Sequence, residues 1–369
     1  MDERGWTIDP ASLREVVTDR PLAEANLRAA AGPERLFWLR VLGRLDEAAA
    51  EADRLLAEPI EQADPWRLLV EVAEILRYSR RIDTAEEFLQ KAWRIAYARR
   101  LQGETLHRLA LCRLEFGDQH AAAQSFVLAR TMLGLFGAQV ASAITRIDLG
   151  LQRIRGHQSF DAVVLSGGAS RRMGGRDKTA ARIAGWPLLD HVLLAASAAT
   201  NRIVVGPNRT GLVLGEPEFC REEPPGAGPV AAVAAALPRV EQPLVALLAG
   251  DLPFIARAVD ELLLTVRTSD RAAAALVDTT GSINYLAAVW RTDALRAAIA
   301  RLPSTAGAPV KALYADADPI LVPDFDACGA DCDTPAQLRD ARERITRRSP
   351  GRLPTSLLAW PRLELHAPS

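Results

Sequence analysis

Three stretches of the chain superpose on one another: residues 43–56 (GRLDEAAAEADRLL), 80–93 (RRIDTAEEFLQKAW) and 117–130 (GDQHAAAQSFVLAR). Ala48, Ala85 and Ala122 fall 37 residues apart, twice. Four residues later stand Ala52, Leu89 and Phe126, and three after that Leu55, Ala92 and Ala129. A small residue where two helices cross, then a larger one, then a small one, lets helical hairpins pack closely. From about residue 24 to 155 apolar residues recur at i, i+3, i+4 and i+7, with charges expected on the other face. Strand signals are absent from that stretch. The pattern predicts three helical hairpins that stack, because one hairpin cannot bury its own apolar face. Trp38, Trp66 and Trp93 lie at helical spacing and are expected to pack inward.

This repeat resembles the tetratricopeptide repeats, whose usual period is about 34 residues. The period here is longer, and the consensus Trp and Pro of those repeats are missing. The resemblance implies a degenerate, tetratricopeptide-like helical-repeat domain over residues 1–157. Such an array offers a groove for a partner protein or peptide; a helical lid or dimerisation arm is the other reading.

Gly156, His157, Gln158 and Ser159 form a polar break, and the pattern then changes. Strands are expected at Asp161–Ser166, Arg202–Gly206, Pro243–Leu248, Ala273–Val277, Asn284–Trp290 and Pro319–Val322. Helices are expected at Pro187–Ala199, Pro229–Leu237, Ala256–Arg267, Asp293–Arg301 and Pro335–Arg344. This alternation predicts an α/β domain at 158–348, a mostly parallel sheet with helices on both faces. The Pro-rich end, 349–369, is expected to be a loose tail.

Leu165-Ser166-Gly167-Gly168 leads from the first of these strands into Arg171-Arg172-Met173-Gly174-Gly175-Arg176-Asp177-Lys178. In open α/β sheets ligands bind beyond the carboxyl ends of the strands. Glycines let backbone N–H groups approach phosphate oxygens, and Arg and Lys neutralise phosphate charge. The spacing is neither that of the dinucleotide fingerprint nor that of the P-loop. Lys178 is also one of only three lysines, with Lys91 and Lys311, in a chain whose basic residues are otherwise Arg. Asp251 closes the apolar run Val245–Leu248, where a carboxylate is costly unless it meets solvent or a cation. A helix N-cap is the alternative use of Asp251, and equally of Asp333 in Asp-Thr-Pro.

The run from Leu165 to Lys178 resembles the signature of the molybdenum cofactor guanylyltransferases, within the Rossmann-like nucleotidyltransferases. Three further segments are similar to that family in the same order: Arg221–Val230 (REEPPGAGPV), Leu248–Pro253 (LAGDLP) and Asp331–Pro335 (DCDTP). The resemblance covers roughly residues 160–345. It implies a Mg²⁺-dependent transfer of GMP from GTP to molybdopterin-bound molybdenum, with release of pyrophosphate. It assigns Lys178 to the triphosphate with Arg172 as helper, and Asp251 and Asp333 to the metal. Leu165, Ser166, Gly167 and Gly168 would meet base and sugar, Glu223 the guanine edge, and Gly228 and Pro229 would shape the base pocket. The doubled glycine favours GTP over CTP. Gly281–Leu286 departs from the family pattern where the acceptor is expected, and Gly206 stands where an Asn is common. A nucleotidyltransferase using CTP or another phosphate acceptor is one alternative. A helical interaction protein with a regulatory nucleotide site is another.

The chain carries 45 basic and 46 acidic residues, and neither half is polybasic, which argues against a nucleic-acid partner. No apolar run approaches the roughly 18–20 residues of a membrane span. The N-terminus lacks a secretory h-region. Cys112, Cys220, Cys328 and Cys332 form no CxxC pair, so reduced thiols in a cytoplasmic protein are expected.

Overall fold

The computed structural model describes residues 5–57, 64–157, 160–167, 178–209, 212 and 217–346. The expected tail at 349–369 lies outside them. The chain divides into two compact units, with the division between Ile154 and Arg155.

The first unit opens with an antiparallel pair, β1 (Trp6–Ile8) and β2 (Glu15–Val17), upstream of the stretch read as helical. Among the described residues the α-helices that follow are α1 (Arg20–Ala29), α2 (Gly32–Val41), α3 (Leu45–Ala57), α4 (Pro65–Tyr78), α5 (Ile82–Ile95), α6 (Arg99–Phe116), α7 (Gln119–Leu133) and α8 (Ala141–His157). Asp19, Asp64 and Asp118 cap α1, α4 and α7 by accepting backbone N–H bonds from Leu22, Arg67 and Ala121. The pairs α2/α3, α4/α5 and α6/α7 pack as hairpins. In each second helix the repeat's first alanine (Ala48, Ala85, Ala122) is fully buried. The preceding turn also repeats: Gly43, Arg80 and Gly117 all take positive φ, at 76°, 60° and 96°.

The expectation that charges stay on the outer helix faces fails for α2 and α4. Charged residues of α2 and α4 do not all face outward, because Arg40, Arg77, Glu71 and Glu74 are buried. Arg40 donates to Glu15 Oε2 at 2.9 Å and to Glu71 Oε2 at 3.1 Å. Arg77 holds Glu74 through two bonds of 2.9 Å. Each buried charge is met by an opposite one, the condition under which burial is tolerated. Trp38, Trp66 and Trp93 are buried as expected.

The second unit contains β3 (Phe160–Leu165), the short pair β4 (Arg182–Ile183) and β5 (Trp186–Pro187), α9 (Leu188–Ala195), β6 (Arg202–Val205), β7 (Glu218–Cys220), α10 (Pro229–Ala236) and β8 (Leu244–Ala249). It continues with α11 (Ala256–Arg267), β9 (Ala273–Val277), β10 (Ile283–Arg291), α12 (Thr292–Ala300), β11 (Ile320–Pro323) and α13 (Pro335–Thr346). Seven strands form one sheet in the order β11-β9-β10-β8-β3-β6-β7. All its pairings are parallel except those of β10, which runs antiparallel to β8 and β9. On one face Val163, Val205 and Leu247 pack with Val230 and Val233 of α10 and Leu295 of α12. The alternate residues Val164, Val204 and Leu248 are buried as well, and α11 packs on β9 and β10. Near-continuous apolar strands are what a sheet covered on both faces requires.

Buried Asp161, in β3, fixes the amino end of the sheet. Its carboxylate accepts N–H bonds from Asn201 at 2.9 Å, Glu241 at 2.7 Å and Gln242 at 3.1 Å. Those residues precede β6 and β8, so one side chain aligns the starts of three parallel strands. The carboxyl ends then emerge together, with Leu165 beside Val205 and Ala249.

Candidate active site

The chain leaves β3 for β6 and β7 on one side and returns to β8 on the other, so the sheet's topological switch lies between β3 and β8. A crevice at the carboxyl ends is expected there. Ser166 and Gly167 continue β3 across this edge, with Ser166 N–H on Val205 O at 2.9 Å. Gly250 continues β8, its N–H donating to Leu165 O at 2.9 Å. A Cβ at Gly250 would come within 3.1 Å of Leu165 O and 3.2 Å of the Thr179 methyl, so any side chain there makes the strand tips give by a few tenths of an ångström.

Three predicted residues from distant parts of the sequence meet here. Lys178 Nζ lies 2.6 Å from Asp251 Oδ2 and 2.6 Å from Asp333 Oδ1. Asp251 is only 2% exposed, whereas the Lys178 and Asp333 side chains are about a quarter open to solvent. Burial pushes the Asp251 carboxyl above the ordinary aspartate value, against the pull of Lys178. Burial opposes the charge on Lys178 too, but Asp251 and Asp333 outweigh it and hold the ammonium above the ordinary lysine value. Partial burial and the neighbouring Asp333 and Asp251 push Asp331 up as well. Negative charge is therefore crowded at the mouth of the crevice, and Lys178 supplies the counter-charge.

Neither aspartate is used as a helix cap. Ile255 occupies the N-cap of α11, with no side-chain cap bond. At α13 the capping hydroxyl is that of Thr334, which accepts from Gln337 N–H at 3.2 Å. Both carboxylates instead face Lys178.

Sequence reasoning missed two contributors. The Thr179 hydroxyl lies 3.1 Å from that of Ser166, tying the turn at Lys178 to the tip of β3. Arg209 Nη2 donates to Ser166 O at 3.3 Å. A contact between two hydroxyls, or from a loop arginine to a carbonyl, leaves no periodic trace in a sequence. Of the other predicted residues, Leu165 and Ser166 are buried and Gly167 is exposed at the tip of β3. Glu223, exposed, lies on the separate segment after β7; Gly228 is the N-cap of α10 and Pro229 its first residue. That segment is tied to a later loop by Gly307 N–H on Ala227 O at 2.7 Å. Gly168 and Arg172 lie outside the described residues. Among the described residues no three His, Cys, Asp or Glu side chains converge as a ready-made metal cage.

A sequence profile of the MobA-like NTP transferase domain matches residues 162–320. A probable molybdenum cofactor guanylyltransferase of Natronomonas pharaonis is 31% identical over 199 residues, covering 50% of this chain and 97% of that protein. One from Synechococcus elongatus is 38% identical over 104 residues, 27% of this chain and 53% of its own length. The 2-C-methyl-D-erythritol 4-phosphate cytidylyltransferase of Thermus thermophilus superposes on 50% of this chain at 22% identity and a TM-score of 0.38. The chain is a nucleotidyltransferase. It belongs to the MobA-like NTP transferase family, that of the molybdenum cofactor guanylyltransferases. The residues matched by the profile lie wholly within the second unit.

Proposed function

We propose that the α/β unit transfers GMP from GTP to a molybdopterin-type acceptor and releases pyrophosphate. The observation that carries this reading is the meeting of Lys178, Asp251 and Asp333 beside Ser166 and Gly167 at the sheet's switch point. In the reaction an acceptor phosphate oxygen bonds to the α-phosphorus of GTP as the bond to the pyrophosphate oxygen breaks. The protein has to place two anions in line and offset the charge that develops. Lys178 offsets charge on the departing pyrophosphate, with Arg172 assisting. The backbone of Leu165, Ser166, Gly167 and Gly168 positions base and ribose. Glu223 accepts from the guanine N1–H and N2–H₂ edge, which cytosine cannot match. Gly228 and Pro229 shape the base pocket.

Asp251 and Asp333 suit a hard divalent ion such as Mg²⁺. Both carboxylates already face a cation, the Lys178 ammonium, and are the hard oxygen donors that would hold such an ion. When bound, the ion neutralises charge on the phosphate oxygens. The expected test outcome is a Lys178→Ala chain that retains its fold by circular dichroism while GTP-dependent pyrophosphate release falls by about a hundredfold or more. Activity equal to the parent would rule out the phosphate role of Lys178.

A further inference from the structure

The helical unit contains a cavity of about 540 Å³, a size that small organic ligands fill. Trp38 of α2 and Trp66 of α4 line it, as do His107 and Arg108 of α6 and Arg146 of α8. Trp66 Nε1 donates to Thr105 Oγ1 at 2.9 Å, so the polar atom of this indole is already engaged.

Three N–H donors on residues that line the cavity have no hydrogen-bond acceptor among the described residues. Arg108 Nη1 lies 2.7 Å from His107 Nδ1. A guanidinium only donates, so Nδ1 accepts and the ring proton sits on Nε2. Burial, reinforced by Arg108 and Arg146, holds His107 well below the ordinary histidine value, which keeps the ring neutral. Its buried Nε2–H finds no hydrogen-bond acceptor among the described residues, and neither does Nε of Arg146 or of Arg108, which faces Glu74 Oε2 only at an ion-pair distance of 3.8 Å. Of the five carboxylates that line it, Asp64 caps α4, Glu104 pairs with Arg100 at 2.9 Å, Glu34 is exposed, and the two buried ones are engaged. Glu15 takes Arg40, Arg146 and the Tyr78 hydroxyl, and Glu71 takes two nitrogens of Arg40. Buried donors are almost always paired in folded proteins, and here three of them line one space beside two indoles.

We propose that this cavity binds a small organic oxyanion, a carboxylate or phosphate monoester on a flat ring. Its oxygens take the N–H groups of His107, Arg108 and Arg146, and its ring packs on Trp38 and Trp66. All five residues belong to the helical unit, and none of the residues assigned to the nucleotide does.

Calorimetric titration of the full chain with phenyl phosphate and with benzoate, against phenol as the uncharged control, tests this and separates a phosphate from a carboxylate preference. One of the anions is expected to bind saturably at one site per chain, unaffected by saturating GTP, while phenol binds at least tenfold more weakly. Arg146→Gln is expected to weaken that binding at least tenfold. Ala143 also lines the cavity and is half-buried, so Ala143→Trp fills the space without removing a charge. It is expected to weaken binding equally, and keeps the test decisive should Arg146→Gln misfold. Saturable binding by neither anion, phenol binding as tightly, or anion binding untouched by Ala143→Trp would overturn the proposal.

Discussion

Lys178 owes its setting to residues 73 and 155 positions away along the chain, Asp251 and Asp333. All three were legible in the sequence because each carries a local signal: a lysine in an Arg-biased chain, and aspartates after an apolar run and before Thr-Pro. Their mutual distances were not legible. If Asp251 holds the catalytic cation, Asp251→Asn leaves the fold intact, since amide and carboxylate share a shape and Lys178 keeps Asp333. Pyrophosphate release is then expected to drop by about a hundredfold. His191 lies in the core of the second unit. Buried in α9 with Nε2 3.0 Å from Ile183 O, it is pushed down by burial from 6.5 to about 4. The unfolded chain therefore takes up the proton first. The contribution of this histidine is complete above pH about 6.5 and is lost as pH falls toward 4, by about 3 kcal/mol at most. Urea titrations between pH 7.5 and 4.5 are expected to show that loss, and His191→Asn to flatten it.

At the scale of elements, the repeat was readable because its period is long and its buried positions strict. The short strands β4, β5 and β7 were not, since two or three residues carry no period. Nor did periodicity anticipate the buried charges of α2 and α4, because a helical wheel cannot see the opposite charge that a neighbouring helix supplies. The turns before α3, α5 and α7 carry a prediction of their own. All three need a left-handed residue, and glycine fills two of them while Arg80 fills the third at φ 60°. A side chain there costs roughly 1–2 kcal/mol, partly offset by the entropy glycine would lose. Arg80→Gly is therefore expected to stabilise the chain by about 0.5–1 kcal/mol, and Gly117→Ala to destabilise it. Denaturant midpoints that move in opposite directions are the check.

At the scale of the whole molecule, every residue assigned to the nucleotide lies in the second unit. Residues 155–350 alone are expected to release pyrophosphate within about threefold of the full chain, since a unit with its own core can fold and act by itself. A much larger loss would mean that the helical unit helps to build the acceptor site. No described helix is long and apolar enough to cross a membrane.

Sequence by itself determined the longer helices and strands, the 37-residue repeat and the candidates Lys178, Asp251 and Asp333, because propensity, apolar period and turn chemistry act over a few neighbours. Only the tertiary structure decided that β10 turns antiparallel, that Thr334 rather than Asp333 caps α13, and that Lys178 falls between two carboxylates. It alone also placed three unmet N–H groups around one cavity. Those outcomes depend on which surfaces pack together, and packing joins residues whose separation along the chain leaves no local mark.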